Sequence, residues 1–231
     1  MSDAQFLTSV GLGFLLGARH ALDADHIAAV STIVSERPNL RASGVVGLCW
    51  GIGHTVVLLI VGAAIVAFKV NIPASIADWF ELAVGMMLVG LGASLAVKIA
   101  RERWHYHEHE HGGQRHLHVH YHKDRAHHEH SHWFQGSLKP FAVGMVHGLA
   151  GSAALALMVV STVRTAGEAL LYIAVFGLGS ILGMVLLGTI IALPLIATAS
   201  IGRWASSVVQ GLASLASIGL GLTIIARFPL A

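Results

Sequence analysis

Four stretches of this chain, residues 42–68, 140–163, 169–202 and 204–226, contain no Asp, Glu, Lys or Arg. Each exceeds the roughly 20 residues a helix needs to cross hydrocarbon. Two weaker stretches complete the set: residues 6–33, long but interrupted by charge, and 79–100, whose charge-free centre between Glu81 and Lys98 is short. The pattern predicts an all-α integral membrane protein with six transmembrane helices. Only 11% of the residues are charged, against about 25% in an ordinary soluble domain, so such a chain cannot cover itself with polar surface. The opening Met1-Ser2-Asp3-Ala4-Gln5 has no basic segment, so the first span is expected to stay with the mature protein. Cys49, inside a span, is the single cysteine, which excludes an intramolecular disulfide and any CxxC metal site.

The chain has 16 histidines. Twelve fall within residues 105–132, a hydrophilic, low-complexity loop expected to be unstructured without metal. Three parts follow: a first three-helix half (1–100), the His-rich loop (101–137) and a second three-helix half (138–231). The halves share short motifs. Gly17-Ala18-Arg19-His20-Ala21-Leu22 matches Gly144-Met145-Val146-His147-Gly148-Leu149 as G-x-x-H-x-L, and Gly51-Ile52-Gly53 matches Gly177-Leu178-Gly179 at nearly the same offset. With an odd number of spans per half, a repeat has to be inverted, the plan of many secondary transporters, with the site where the halves meet. Positive charge sets the orientation. Arg37, Arg41, Lys98, Arg101, Arg103, Arg115, Lys123, Arg125, Lys139 and Arg203 fall on one side, and only Lys69, Arg164 and Arg227 on the other. The loop is therefore expected in the cytoplasm and both termini outside.

Chemistry concentrates in the first span. Arg19-His20-Ala21-Leu22-Asp23-Ala24-Asp25-His26 places five ionisable side chains in eight residues of apolar surroundings. A charged one costs about 2.5–3.5 kcal/mol at a helix centre, so something must offset it. On an unbroken helix His20, Asp23 and His26 share one face and Asp25 points away. Residues 6–33 would then be about 42 Å long for a core of about 30 Å, so a break or strong tilt is expected. Asp25 joins the others only if the helix unwinds; otherwise it orients an imidazole or pairs with Arg19. His54 and His147 are each the lone ionisable group deep in a span, flanked by glycines that allow close helix approach. Imidazole with carboxylate suits nickel, cobalt and zinc, and the donor set is wrong for magnesium, calcium or copper(I). The candidate ligands are thus His20, Asp23, Asp25, His26, His54 and His147. The loop's alternating histidines form weak, exchangeable sites. Two H-E-x-x-H matches in it, at His107 and His128, are discounted as zinc-peptidase motifs, which need a stable helix. No G-x-x-x-x-G-K-[ST] loop is present, so ATP is not used by that route.

Arg19-His20-Ala21-Leu22-Asp23-Ala24-Asp25-His26-Ile27 resembles the R-H-A-x-D-A-D-H-I signature of nickel/cobalt transporters. Gly53-His54-Thr55-Val56-Val57 is similar to the G-H-[ST]-x-V element on that family's next helix. In the later half, His147-Gly148-Leu149-Ala150-Gly151-Ser152-Ala153-Ala154 stands where eight-span members have an acidic, threonine-containing motif. With the six-span count and the His-rich loop, this resembles the broader superfamily containing nickel/cobalt efflux proteins and urease-accessory-like permeases. The resemblance implies a permease, not an enzyme, with His20, Asp23, Asp25 and His26 as the selectivity site. Its cargo would be Ni2+ or Co2+, with no resident cofactor. A zinc transporter is the rival within transport. A membrane-anchored metal store or chaperone for metalloenzyme maturation is the rival outside it. Expected partners are the divalent ion and the bilayer, with room for a homo-oligomer and for a metallochaperone at the loop; nothing suggests nucleic acid.

Overall fold

The computed structural model describes residues 3–36, 38–70, 72–103, 107–111, 114–118, 133–162 and 165–229. The order of elements is α1 (Asp3–His20), α2 (Ala24–Ser35), α3 (Leu40–Phe68), α4 (Ala74–Arg103), β1 (His107–His111), β2 (Gln114–His118), α5 (Trp133–Thr162), α6 (Ala166–Ile201) and α7 (Arg203–Ala226). Apart from the β1–β2 hairpin the described chain is helical. Among the described residues four helices are long and apolar enough to cross a membrane: Leu40–Phe68, Ala74–Arg101, Ala166–Ile201 and Trp204–Ala226. α5 covers residues 140–162, and the first stretch is divided between α1 and α2.

Local chemistry sets the ends. Asn39 caps α3, its side-chain oxygen accepting from the N–H groups of Arg41 and Ala42. Thr165 caps α6 by accepting from the N–H of Glu168. Gly202 joins α6 to α7 at φ 150°, a conformation that residues with a Cβ rarely adopt.

The helices approach one another on small residues and turn their large apolar side chains outward. On α6, Leu178, Leu182, Leu186, Ile190 and Leu193 are exposed, while Gly177, Ser180, Gly183 and Gly188 are buried. That is the reverse of a soluble helix and the arrangement expected where lipid is the solvent. A Cβ at Gly17 would lie 2.0 Å from the carbonyl oxygen of Phe176, one at Gly144 2.2 Å from that of Trp50, and one at Gly53 2.3 Å from that of Phe141. α3 thus packs closely against α5 and α6, α1 against α6, and α4 against α7, while the short α2 lies among α4, α6 and α7. Hydroxyls of α7 join that pairing, Ser214 Oγ donating to Gly92 O and Ser217 Oγ to Leu88 O.

The His-rich loop departs from the expected lack of structure in one segment. β1 and β2 pair antiparallel, with His107 opposite His118 and His109 opposite His116. Alternating His and Glu suit a strand, because every second residue then falls on one face. A strand also separates His107 from His111 by about 13 Å, against about 6 Å along a helix, which removes the zinc-peptidase reading there. The other loop histidines, 105, 120, 122, 127, 128, 130 and 132, and also Arg37, Lys123 and Arg125, lie outside the described residues.

Candidate metal centre

The centre begins where α1 stops. The N–H groups of Ala21, Leu22 and Asp23 bond back to Gly17 O, Arg19 O and His20 O, closing the last turn of α1. Asp23 then takes an extended conformation, φ −64° and ψ 148°, from which α2 restarts. The break expected on length grounds therefore falls inside the motif. It also corrects the direction assigned to Asp25. Three non-helical residues reset the helical phase, so Asp25 does not point away from the histidines: its Oδ1 lies 3.2 Å from His26 Nδ1 and its Oδ2 3.6 Å from His147 Nε2. Asp25 pairs with imidazoles and not with Arg19, which is exposed.

The break turns two helix ends toward one point. The carbonyl end of α1 favours a cation, whereas the amide end of α2 opposes one. Asp25 in the first turn of α2, with Oδ1 accepting from His26 N at 2.9 Å, and Asp23 just before it offset that second field. Asp23 does not cap α2 with its side chain. Its carboxylate instead accepts from His20 Nδ1 at 2.8 Å, which leaves His20 Nε2 as the free donor, the pattern of a metal-bound histidine held by a carboxylate.

His54 of α3 and His147 of α5 complete the cluster. Ring centroids lie 4.8 Å apart for His20 and His26, 5.2 Å for His20 and His54, 5.5 Å for His26 and His54, and 4.7 Å for His26 and His147. His20, His26 and His54 each offer a nitrogen within 4.8 Å of the others, and Asp23, Asp25 and His26 form a second such group. Metal–nitrogen bonds of about 2.0–2.1 Å bring two opposite donors to about 4 Å. Three donors around one ion stand about 3–4 Å apart, so side-chain rotations that close the nitrogens by about 1–2 Å let three imidazoles share an ion.

The buried nitrogens fit such a ligand. His26, His54 and His147 are at most 2% exposed. Asp25 stands beside His26 Nδ1 and His147 Nε2 without hydrogen-bond geometry, so both ring nitrogens of His26 and His54, and Nε2 of His147, have no hydrogen-bond partner, a costly state for buried polar atoms unless something binds them. His147 Nδ1 donates to Val143 O at 3.2 Å, so Nε2 carries the lone pair that faces Asp25.

Sequence reasoning missed part of the wall. Trp50 is fully buried, 4.9 Å from His147 and 5.9 Å from His26 between ring centroids, and Phe176 lies 5.5 Å from His20. A tryptophan in mid-span beside Gly51, away from the interfaces where tryptophan is usual, was the available signal. Gly151 gave none: a Cβ there would stand 3.6 Å from His20 Nε2 and 3.7 Å from His54 Cε1.

The chain is 38% identical over 196 residues, 84% of its own length and 80% of the other's, to the urease accessory protein UreH of Bacillus sp. (strain TB-90). It is 34% identical over 99 residues, 42% of its length and 27% of the other's, to the chloroplast protein FOR GROWTH AND FERTILITY 1 of Arabidopsis thaliana. No solved structure matches it significantly. The model of the NicO family, described as high-affinity nickel-transport protein, matches residues 6–226, and the chain belongs to that family.

Proposed function

We propose that this protein carries Ni2+ across a membrane through the centre formed by His20, His26 and His54, with Asp23, Asp25 and His147 beside it. The observation that carries this reading is the convergence of three imidazoles from α1, α2 and α3, two of them buried with no hydrogen-bond partner on either nitrogen. Neutral imidazoles supply the donors, and the carboxylates balance a divalent charge where the surroundings do not. His147 is held in the right tautomer to serve as a fourth donor when the ion passes toward α5. Co2+ accepts the same donors and is the second cargo; Zn2+ is the rival.

The same reading takes α1 with α2, α3, α4, α5, α6 and α7 as six spans in two inverted halves, 1–100 and 138–231, joined by the loop 101–137. Paired contacts support it. Gly17 against Phe176 corresponds to Gly144 against Trp50, Gly179 against Phe14 to Gly53 against Phe141, and Gly51 against Ile181 to Gly177 against Thr55, all at the offset read from the motifs. The distribution of Lys and Arg puts the loop in the cytoplasm and both termini outside. There the loop collects metal and presents it to a metallochaperone. The relative named as a urease accessory protein supports a role in metalloenzyme maturation.

The test is flux of nickel, cobalt and zinc into sealed vesicles containing the purified protein, with metal presented from either side. Nickel flux that is lost in His26→Ala and kept after deletion of residues 105–132 supports transport. Flux that survives His26→Ala, or vanishes with the loop alone, moves the activity to the loop and leaves storage as the function.

A further inference from the structure

A cavity of about 200 Å3 adjoins the centre, lined by His20, Asp25, His26 and His147 and also by Glu81 and Val84 of α4 and Ile224 of α7. We propose that Glu81 is the carboxylate at the mouth of this cavity, drawing divalent cations in and passing them to Asp25. This deepens the transport reading and rests on it.

Depth along the helices separates Glu81 from the centre. Lys98 Nζ donates to Glu36 O, which fixes the levels of α4 and α2 at one end of the molecule. Both helices run toward that end. Glu81 precedes Lys98 by nearly five turns, about 25 Å, whereas Asp25 precedes Glu36 by about 16 Å. α7 agrees with this ruler: Gln210 Nε2 bonds to Ser35 O, and Ile224 follows Gln210 by about 21 Å. Glu81 therefore stands beyond Asp25, on the side away from Glu36, and Ile224 lines the same cavity.

Three features make Glu81 a cation-handling group. First, it lies within a helix apolar enough to cross a membrane, where an ionisable side chain needs a partner to offset its charge. Second, it is exposed, and among the described residues its carboxylate has no ion pair or hydrogen bond; Asp23, Asp25 and Glu36 are all paired. Third, the cavity wall beside it is apolar, Val84 and Ile224. A charge in a low-dielectric funnel focuses its field on the approaching ion and raises the rate of capture, an effect that falls with ionic strength.

The experiment compares wild type, Glu81→Gln, Glu81→Asp and His26→Ala in oriented membrane vesicles, measuring nickel flux against nickel concentration at low and high salt from each face. For Glu81→Gln the half-saturating concentration should rise about threefold or more when metal is presented at the face of the mouth. The maximum flux should stay within about twofold and the dependence on salt should flatten. From the opposite face the variant should match wild type, and Glu81→Asp should restore most of the loss. Half-saturation and salt dependence equal to wild type overturn the proposal while leaving transport in place. So does a loss of maximum flux from both faces that Glu81→Asp does not restore, which marks a structural role. A wild type that moves no nickel removes the transport reading itself, and this one with it.

Discussion

His26 and His147 stand with ring centroids 4.7 Å apart and planes 34° from parallel, though they belong to helices α2 and α5, far apart in the chain. Trp50 packs beside both rings. In the proposed centre, an ion held by His20, His26 and His54 would have a further imidazole one ring away, and with it a direction in which to leave. The position of His147 predicts a release defect in its absence. His147→Ala should retain nickel binding at equilibrium and slow net flux by about tenfold, read from binding and flux on one preparation. Equal loss of both would make His147 a ligand of the resting site.

In the proposed triad, His54 is the one donor that lies outside the motif carried by α1 and α2. His54→Ala should weaken nickel binding by more than the roughly 10- to 100-fold that loss of an outer hydrogen-bond partner costs. Asp23→Asn should fall within that range, because it removes the carboxylate that holds His20 Nδ1. Titration of purified protein with nickel orders the two variants, and the reverse order would falsify the division of roles.

Helix contacts through glycine predict a sharp contrast in stability. A Cβ at Gly144 meets the carbonyl oxygen of Trp50 at 2.2 Å, whereas one at Gly90 meets nothing within 4 Å. Gly144→Ala should therefore cost at least the roughly 1–3 kcal/mol of an overpacked core, because rigid backbone has to move. Gly90→Ala should be neutral or stabilise by up to about 1 kcal/mol through helix propensity. Thermal unfolding in detergent measures both.

Three helices hold the far end of α2. Lys98 Nζ of α4 donates to Glu36 O at 2.8 Å, Lys139 of α5 pairs with the Glu36 carboxylate, and Gln210 Nε2 of α7 donates to Ser35 O at 3.1 Å. Lys98→Met keeps the apolar stem and loses a charged donor to a backbone carbonyl, worth about 1.5–3 kcal/mol. Lys139→Gln breaks a pair that is 42% and 32% exposed, worth about 0–1 kcal/mol. The first variant should melt at the lower temperature, and the opposite ranking would show that α2 is anchored through the carboxylate.

Topology is tested at the loop. In a Cys49→Ser background, Ser131→Cys should resist an impermeant thiol reagent in intact cells and react after lysis. Labelling of intact cells would place the loop and both termini on the opposite sides.

Much of this protein could be read before any packing was known, because hydrocarbon is an unforgiving solvent. A span must be long, apolar and nearly free of charge, so the runs 42–68, 169–202 and 204–226 announce helices, and any His or Asp that interrupts such a run stands out. His20, Asp23, Asp25, His26, His54 and His147 were all visible for that reason. Direction was another matter. The phase of a helix follows from sequence only while the helix continues, and the three residues 21–23 reverse the sense of Asp25 toward His26 and His147. Trp50, Phe176 and Gly151 border the centre because α3, α6 and α5 approach closely enough on glycine to bring them there. Glu81 looked like no more than the boundary of a short apolar stretch until α4 placed it over the cavity. Contacts between segments far apart in the chain depend on which small residues meet, and only the tertiary structure decides that.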